Sequence, residues 1–416
     1  MRARIMTLVL FGIIFLLLDF YFFQGILAAS KNWSPFWRNI IRYGFWVPTA
    51  LSFMALLWWA FDDPYKYSAN FRNWVITGLV ATYFSKFIGL LFLFVDDLQR
   101  GVRWVVQLFQ KSSDVKLNGE VISRSEFLSQ AALVATAIPF GAMAFGVISG
   151  AHDYRVKRIT VKLPNLPKSF DGLRIGQVSD IHSGSFFNKT AVKGGVEMMM
   201  REKPDVLFFT GDLVNNETTE VRDYTEIFNK LKAPLGVFSV TGNHDYGNYK
   251  AWSSQEVKQK NFQDLLAAHK HMGYDILMNE HRIVEQSGDK IAIVGIENWG
   301  TGRFPKYGKM KEACTGTEEA PVKLLLSHDP SHWDEEVRKL YPEIDMMFAG
   351  HTHGFQFGVE IGGFKWSPSQ YAYKQWAGLY QEGKQFLYVN RGFGFLGYPG
   401  RIGMPPELTI IELKRT

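Results

Sequence analysis

The chain runs to 416 residues, long enough for two or three domains and a sizeable core. Its aromatic content of 15%, with 34 Phe and 12 Trp, set against only 21% charged residues, points to a membrane protein carrying a soluble part. The net charge of +6 comes from Lys and Arg scattered through loops, which excludes the clustered basic face of a nucleic-acid binder, and the lone Cys314 excludes an intramolecular disulfide.

Residues 1–150 hold the long apolar runs, whereas residues 151–416 have ordinary globular composition, so a membrane domain followed by a soluble domain is expected. Four runs approach the roughly 20 apolar residues that cross a bilayer: Ile5 to Phe23, Phe45 to Phe61, Trp74 to Val95 and Ala131 to Gly150. The first has signal-peptide flanks, with Arg2 and Arg4 ahead and Ala28, Ala29 and Ser30 behind, but its length and the spans that follow favour a retained helix. Pro48 in the second is tolerated where neighbouring helices satisfy the backbone. Two spans carry a charge, Asp19 and Lys86, which either mark function, pair with each other, or reach separately to the interface. Lys and Arg near the span ends number eight on either side, so they do not orient the chain. S-R-S-E-F-L (123–128) is similar to a twin-arginine export signal with Ser125 in place of the second arginine, which favours an extracytoplasmic catalytic half at a bacterial plasma membrane.

From Leu173 onward, short apolar runs end in polar clusters and alternate with amphipathic stretches. L-R-I-G-Q-V-S-D ends at Asp180, D-V-L-F-F-T-G-D at Asp212, and L-G-V-F-S-V-T-G-N-H-D at Asn243, His244 and Asp245. K-L-L-L-S-H-D reaches His328, and I-D-M-M-F-A-G-H-T-H reaches His351 and His353. Runs this continuous predict strands buried on both faces, with helices over Ala191 to Glu202, Val221 to Leu231, Phe262 to Met272 and His332 to Leu340. A single Asp or His after a strand commonly serves as a cap or a turn residue. Five successive ends bearing Asp180, His182, Asp212, Asn243, His328, His351 and His353 instead suggest a site at the carboxyl edge of an open α/β sheet. In G-H-T-H the two imidazoles, two residues apart across a turn, are expected to lean toward one point and to hold a metal.

D-I-H (180–182), G-D-L-V (211–214), G-N-H-D (242–245), S-H-D-P (327–330) and G-H-T-H (350–353) together resemble the full motif series of the calcineurin-like metallophosphoesterases. The resemblance runs from about Arg158 to the C-terminus. D-G-L-R-I-G-Q-V-S-D-I-H and P-P-E-L-T-I-I-E-L are similar to the membrane-linked bacterial branch. It implies an α/β fold in which N-terminal transmembrane helices precede two mixed β-sheets faced by helices, with the metals at one edge. It further implies that Asp180, His182, Asp212 and His353 hold one divalent metal and Asp212, Asn243, His328 and His351 a second, Asp212 bridging. Two divalent cations outweigh two carboxylates, so the site attracts phosphate. Mixed imidazole and oxygen donors suit Mn, Fe or Zn better than Mg or Ca. Two metals about 3.5–4 Å apart make hydroxide from a shared water and clamp the phosphoryl oxygens during in-line attack. His244 is left over as the group that stabilises the transition state or protonates the leaving oxygen, with Asp245 orienting its ring.

Substrate choice falls to the segments between motifs. Y-G-N-Y-K-A-W (246–252), E-N-W-G (297–300) and F-K-W-S-P-S-Q-Y-A-Y (364–373) place aromatics where they grip a lipid or a base, dock on a membrane, or pack in the core. Two departures stand out: His244 occupies a position where the sugar-nucleotide lipid hydrolases often carry arginine, and Phe355 stands where a second glycine is frequent, narrowing the cleft beside His353. The expected function is a membrane-anchored, metal-dependent phosphoesterase acting on a phosphodiester or phosphomonoester, with a lipid-linked substrate preferred. The alternative is a transporter or sensor with an accessory metal-binding domain. Oligomeric state is not encoded in any motif.

Overall fold

The computed structural model describes residues 2–62, 69–109 and 125–416. The chain divides into two compact units, Met1–Phe145 and Gly146–Thr416. The first contains α1 (Arg2–Ala29), α2 (Pro35–Gly44), α3 (Trp46–Phe61), α4 (Ala69–Phe109) and α5 (Glu126–Ile148). Among the described residues, four stretches are long and apolar enough to span a bilayer: Leu8–Ala29, Pro35–Phe61, Phe71–Val106 and Glu126–His152.

Each stretch is longer than its apolar run alone predicts. Pro48 lies in the first turn of α3, where its missing N–H removes no helical bond, so the chain continues from the amphipathic α2 into α3 with only a break at Phe45. α4 runs past the apolar core because D-D-L-Q-R-G-V-R continues at helical spacing, with Arg100 bonded to Asp97 at 2.9 Å. Asp19 and Lys86 neither snorkel nor stand alone: they form a buried ion pair, and Asp19 also accepts from Thr49 Oγ1 at 2.7 Å and Tyr83 Oη at 3.0 Å. Ser123 and Arg124 of the export-like motif lie outside the described residues, as do Lys66, Lys111 and Lys116 of the charge count. Ser125 does local work, its hydroxyl accepting from the Leu128 amide at 3.3 Å to cap α5.

The second unit is built on two six-stranded sheets. In chain order the strands are β1 (Arg155–Leu163), β2 (Arg174–Val178), β3 (Val206–Phe209), β4 (Val237–Ser239), β5 (Asp275–Ile276), β6 (Glu280–Gln286) and β7 (Asp289–Gly295), followed by β8 (Lys323–Leu326), β9 (Met346–Ala349), β10 (Val359–Ile361), β11 (Phe364–Trp366), β12 (Gly378–Glu382), β13 (Gln385–Val389) and β14 (Glu407–Arg415). One sheet has the order β1-β14-β2-β3-β4-β5, the other β12-β13-β9-β8-β7-β6, and β10–β11 is a separate hairpin. Both sheets are mixed: β14 is antiparallel to β2, β6 to β7 and β12 to β13, and the other neighbours are parallel.

The period-two alternation explains the layers. Val206, Phe208 and Phe238 meet Leu324, Leu326, Met346 and Phe348 between the sheets. Leu207, Phe209 and Val237 turn the other way onto Val192, Val196 and Met199 of α6 (Lys189–Arg201) and Leu265 of α8 (Gln255–His271). On the second sheet Ala292, Val294, Leu325 and Met347 cover Met310, Trp333 and Val337. Sheet residues are therefore apolar on both sides, which produces the uninterrupted runs seen in the sequence. The carboxyl ends Asp180 and Asp212 do follow strands of one sheet, but His328 and His351 follow β8 and β9 of the other, so a two-sheet edge replaces the single open sheet.

Two expected helices differ. Val221 to Leu231 forms a 3-10 turn, Thr218–Val221, and the single turn α7 (Thr225–Phe228), because Glu220 turns back to accept from the amides of Asn215 and Glu217 and Tyr224 Oη donates to the Phe186 carbonyl. His332 to Leu340 is a π turn, Trp333–Val337, running into Arg338–Leu340. α8 starts two turns before its apolar face, at Ser254, whose hydroxyl accepts from the Val257 amide.

Candidate functional site

The site is assembled where β2, β3, β4, β8 and β9 end. The chain turns sharply at each exit, and Asp180, His182, Asp212, His351 and His353 all take left-handed backbone, with φ between 48° and 72°. Non-glycine residues reach that region at a cost of about 1–3 kcal/mol each, held by the surrounding fold. The flanking glycines make room for carboxylates: a Cβ on Gly242 would lie 2.2 Å from Asp212 Oδ1, and one on Gly350 would lie 2.2 Å from Asp180 Oδ2. G-N-H-D and G-H-T-H therefore need their first residue bare.

Two groups of metal-capable side chains result, Asp180 with His182 and His353, and Asp212 with His328 and His351, the ligand atoms within each group lying within 4.8 Å of one another. The two histidines of G-H-T-H go to different groups, so they straddle the site instead of meeting at one point. In the first group His353 Nε2 lies 3.1 Å from His182 Nε2 and 3.3 Å from Asp180 Oδ1. In the second, His328 Nε2 lies 3.1 Å from Asp212 Oδ2 and 3.3 Å from His351 Nδ1. Asp212 Oδ2 also lies 3.5 Å from His182 Nε2, which places this one carboxylate against both groups.

Charge balance sets the protonation of the bare site. Burial pushes the Asp180 carboxyl up to about 6, while burial pushes His182 down to about 3 and His353 well below its usual range. Burial opposes charge on His328 too, but the Asp212 carboxylate outweighs it and raises this imidazole to about 10, while His328 and His244 hold Asp212 well below the usual carboxylate range despite its burial. The Asp212 carboxylate thus draws positive charge toward itself, which is what a bound cation would also supply.

Asn243 sits beside these groups with its Nδ2 donating to Tyr249 Oη at 2.8 Å and its buried amide oxygen without a hydrogen-bond partner. An orphaned buried oxygen, two carboxylates and four imidazoles form the hard and borderline donor set that divalent transition metals take, so the residues present fit such ions.

His244 is half-buried, its Nδ1 at 2.8 Å from the Asn215 carbonyl and its ring edge-on to His182 at 5.0 Å. Asp245 does not orient that ring. Its carboxylate accepts from the backbone amides of Gly242, Asp212 and Leu213 at 2.8–2.9 Å, tying the β3 and β4 exits together. Burial and the Asp212 charge push the Asp245 carboxyl up to about 7 against those amide bonds.

Several residues escaped the sequence reading. Asn215 fixes two rings at once, its Oδ1 accepting from His182 Nδ1 at 3.0 Å while its carbonyl takes His244. Three positions after Asp212, a polar residue in G-D-L-V-N was the available signal. Tyr373 Oη lies 2.7 Å from His351 Nε2, and the buried Asp329, the next residue after His328, leaves an unpartnered oxygen 3.5 Å from the same nitrogen. Arg401, fully buried, donates to the carbonyls of Gly394 and Arg391 and reaches His353 Nδ1 at 3.3 Å; no local motif marks it. Of the aromatic stretches, Trp299 packs into the core and Tyr249 and Tyr373 reach the site. Phe355 is 62% exposed, its ring turned largely to solvent. Cys314 is free and buried, and burial raises its thiol to about 11, so it is inert.

Residues 2–151 match the family model described as the transmembrane domain of a probable calcineurin-like phosphoesterase, and residues 173–355 match the calcineurin-like phosphoesterase domain itself. A Danio rerio transmembrane protein with metallophosphoesterase domain is 30% identical over 319 residues, covering 71% of this chain and 68% of that one. The uncharacterized metallophosphoesterase YkuE of Bacillus subtilis is 29% identical, covering 67% of this chain and 95% of its own length. The UDP-2,3-diacylglucosamine pyrophosphatase LpxG of Chlamydia trachomatis is 30% identical, with 61% and 88% covered. Fold, paired His and Asp groups and these likenesses agree, and the chain belongs to the calcineurin-like metallophosphoesterases, metal-dependent phosphoric ester hydrolases, in a form that carries its own transmembrane domain.

Proposed function

We propose that residues 151–416 form a dinuclear phosphoesterase anchored by the membrane domain 1–150, and that it hydrolyses a lipid-linked phosphodiester or phosphomonoester. Asp180, His182 and His353 with Asp212 would hold one cation, and Asp212, Asn243, His328 and His351 the other. The observation that carries this reading is the place of Asp212, whose Oδ2 lies 3.5 Å from His182 and 3.1 Å from His328. Bound divalent ions, Mn, Fe or Zn by donor type, acidify water and offset charge on the phosphoryl oxygens of an in-line displacement.

The remaining work belongs to the chain. Asn215 holds His182 through Nδ1, which leaves Nε2 directed to the centre. The Asn215 carbonyl accepts from His244 Nδ1–H, so His244 Nε2 is the ring atom left to face the leaving oxygen and to pass a proton to it. Asp245 acts at one remove, by fixing the backbone that presents Asp212 and His244.

Two facts support a lipid-linked substrate: the described residues include four apolar spans, and one relative is named as a UDP-2,3-diacylglucosamine pyrophosphatase. His244 in place of the arginine frequent in that class argues that the polar part of the substrate differs. We place the catalytic half outside the cytoplasm of a bacterial plasma membrane, on the likeness of S-R-S-E-F-L to an export signal. The detergent-solubilised protein is expected to hydrolyse bis-aryl or mono-aryl phosphates with added Mn and to stop with chelator. A metal-loaded preparation inert toward both, and toward phospholipid esters, overturns the proposal.

A further inference from the structure

The hairpin between the histidine turn and Tyr373 has its polarity reversed. β10 and β11 pair with Val359 opposite Trp366 and Ile361 opposite Phe364, and Glu360 lies opposite Lys365 between them. Opposed residues of an antiparallel pair share a face, so the four apolar side chains take one side and the two charges the other. The charged side makes the polar contacts with the protein: Glu360, itself exposed, accepts from the buried Arg391 at 2.6 Å and from Lys157 at 3.4 Å, and the half-buried Lys365 ammonium meets the Ala377 carbonyl and lies 4.4 Å from the Trp376 ring. The apolar side turns outward, with Val359, Ile361 and Phe364 at 37%, 73% and 63% exposure. A hairpin resting on a core normally does the opposite.

The neighbouring chain extends the patch. Phe355 and Phe357 are exposed, Phe357 contacts the Trp366 ring, and Trp366 Nε1 reaches Tyr371 Oη. Phe355 also holds a left-handed backbone, φ 57°, which a bulky residue adopts only when its surroundings impose it. Here the imposition comes from Gln356, whose side chain bonds the Tyr398 and Gly400 carbonyls and the Leu396 amide. Both ends of the segment are fastened to the histidine turn, through Ser367 Oγ to the Gly354 carbonyl at 2.8 Å and through Tyr373 Oη to His351.

We infer that the β10–β11 hairpin is a bilayer-docking face that holds the phosphoester site at the lipid–water interface, an inference that rests on the phosphoesterase reading above. A bilayer is the occupant because the described residues of the same chain include four apolar spans, which keep one within reach at high effective concentration. The mixture of Phe, Ile and Val with Trp and Tyr is that of segments seated at membrane interfaces. The ion pair of Glu360 with the buried Arg391 and the Lys365 contacts behind the hairpin anchor it against the pull of that contact.

The test uses the full-length protein in nanodiscs, with an environment-sensitive nitrobenzofurazan probe at Phe364→Cys and, as control, at Glu285→Cys on exposed β6; buried Cys314 is an unreactive background. The probe at 364 is expected to be quenched by nitroxide-labelled phospholipid at least about threefold more than at 285 and shielded from aqueous iodide. Equal iodide access at both positions overturns the inference, as does shielding without lipid quenching, which would mean that a protein partner or a second copy covers the face. This readout needs no turnover, so a protein that hydrolyses nothing yet passes it sinks the phosphoesterase reading alone. In the double variant Ile361→Ser/Phe364→Ser, turnover of a bilayer-embedded phosphoester is expected to fall about tenfold with soluble aryl phosphate hydrolysis unchanged. Equal losses on both substrates, or none, also overturn it.

Discussion

Each unit of this chain buries a cluster of charge, and the two clusters end differently. In the membrane unit Asp19 meets Lys86, Thr49 and Tyr83, and the single carboxylate is answered by one ammonium and two hydroxyls. In the soluble unit Asp180 and Asp212 meet four imidazoles, and oxygens of Asn243 and Asp329 stay without partners. The first cluster is satisfied within itself; the second leaves ligand atoms over, and leftover buried ligand atoms are what a cation needs. Burial of charge alone therefore does not mark a site.

The sharpest way to break that contrast is Asp212→Asn. Losing the carboxylate shared by both groups is expected to lower bound metal at both and to cut turnover at least about 10³-fold, more than the loss of one stabilising donor. Metal analysis beside kinetics checks it, and full occupancy of both sites refutes the shared role. His244→Ala is expected to keep its metals and lose about 10² to 10⁴ of rate, the weight of a positioned acid; unchanged turnover removes His244 from the chemistry.

In the closed cluster, Lys86→Met leaves Asp19 buried and unpaired and is expected to cost about 3 kcal/mol of stability by thermal unfolding in detergent, while Asp19→Leu/Lys86→Met recovers most of it. Hydrolysis by the double variant should be unaltered; an altered solute flux with intact hydrolysis would revive the transporter reading. Asn215→Ala should weaken metal binding about 10- to 100-fold by freeing His182.

The smallest effect concerns protons. His328 is raised to about 10, so in the metal-free protein it is protonated at pH 7 and must lose that proton to bind a metal. Metal affinity should then rise with pH up to about 10, with about one proton released, which calorimetry in buffers of different ionisation enthalpy measures. No proton release at pH 7 places the charge elsewhere.

How much was legible follows from where the information sits. β2, β3, β4, β8 and β9 could be read because each is a run of four or so apolar residues ended by a polar turn. β5, β10 and β12 could not, since two to five residues of mixed polarity carry no period. Val221 to Leu231 looked helical because periodicity does not register that Glu220 caps the preceding loop. All the Asp, His and Asn side chains proposed for the metals were picked from motif spacing, whereas the partners that orient them were not. Asn215 and Tyr373 act through hydrogen bonds to rings 33 and 22 residues away, and no local pattern records such bonds.

Apolar runs and their polar ends, both local properties of the chain, were enough to determine the strands, the membrane spans and which side chains gather at strand ends. That His351 and His353 belong to different groups with Asp212 between them was already implied by the family resemblance; only the face-to-face packing of the two sheets set the distances among them and decided that Asp245 supports backbone and leaves His244 to Asn215. Those outcomes depend on distances between segments far apart in the chain, set by how both sheets bury their faces, and a one-dimensional pattern contains no such distance.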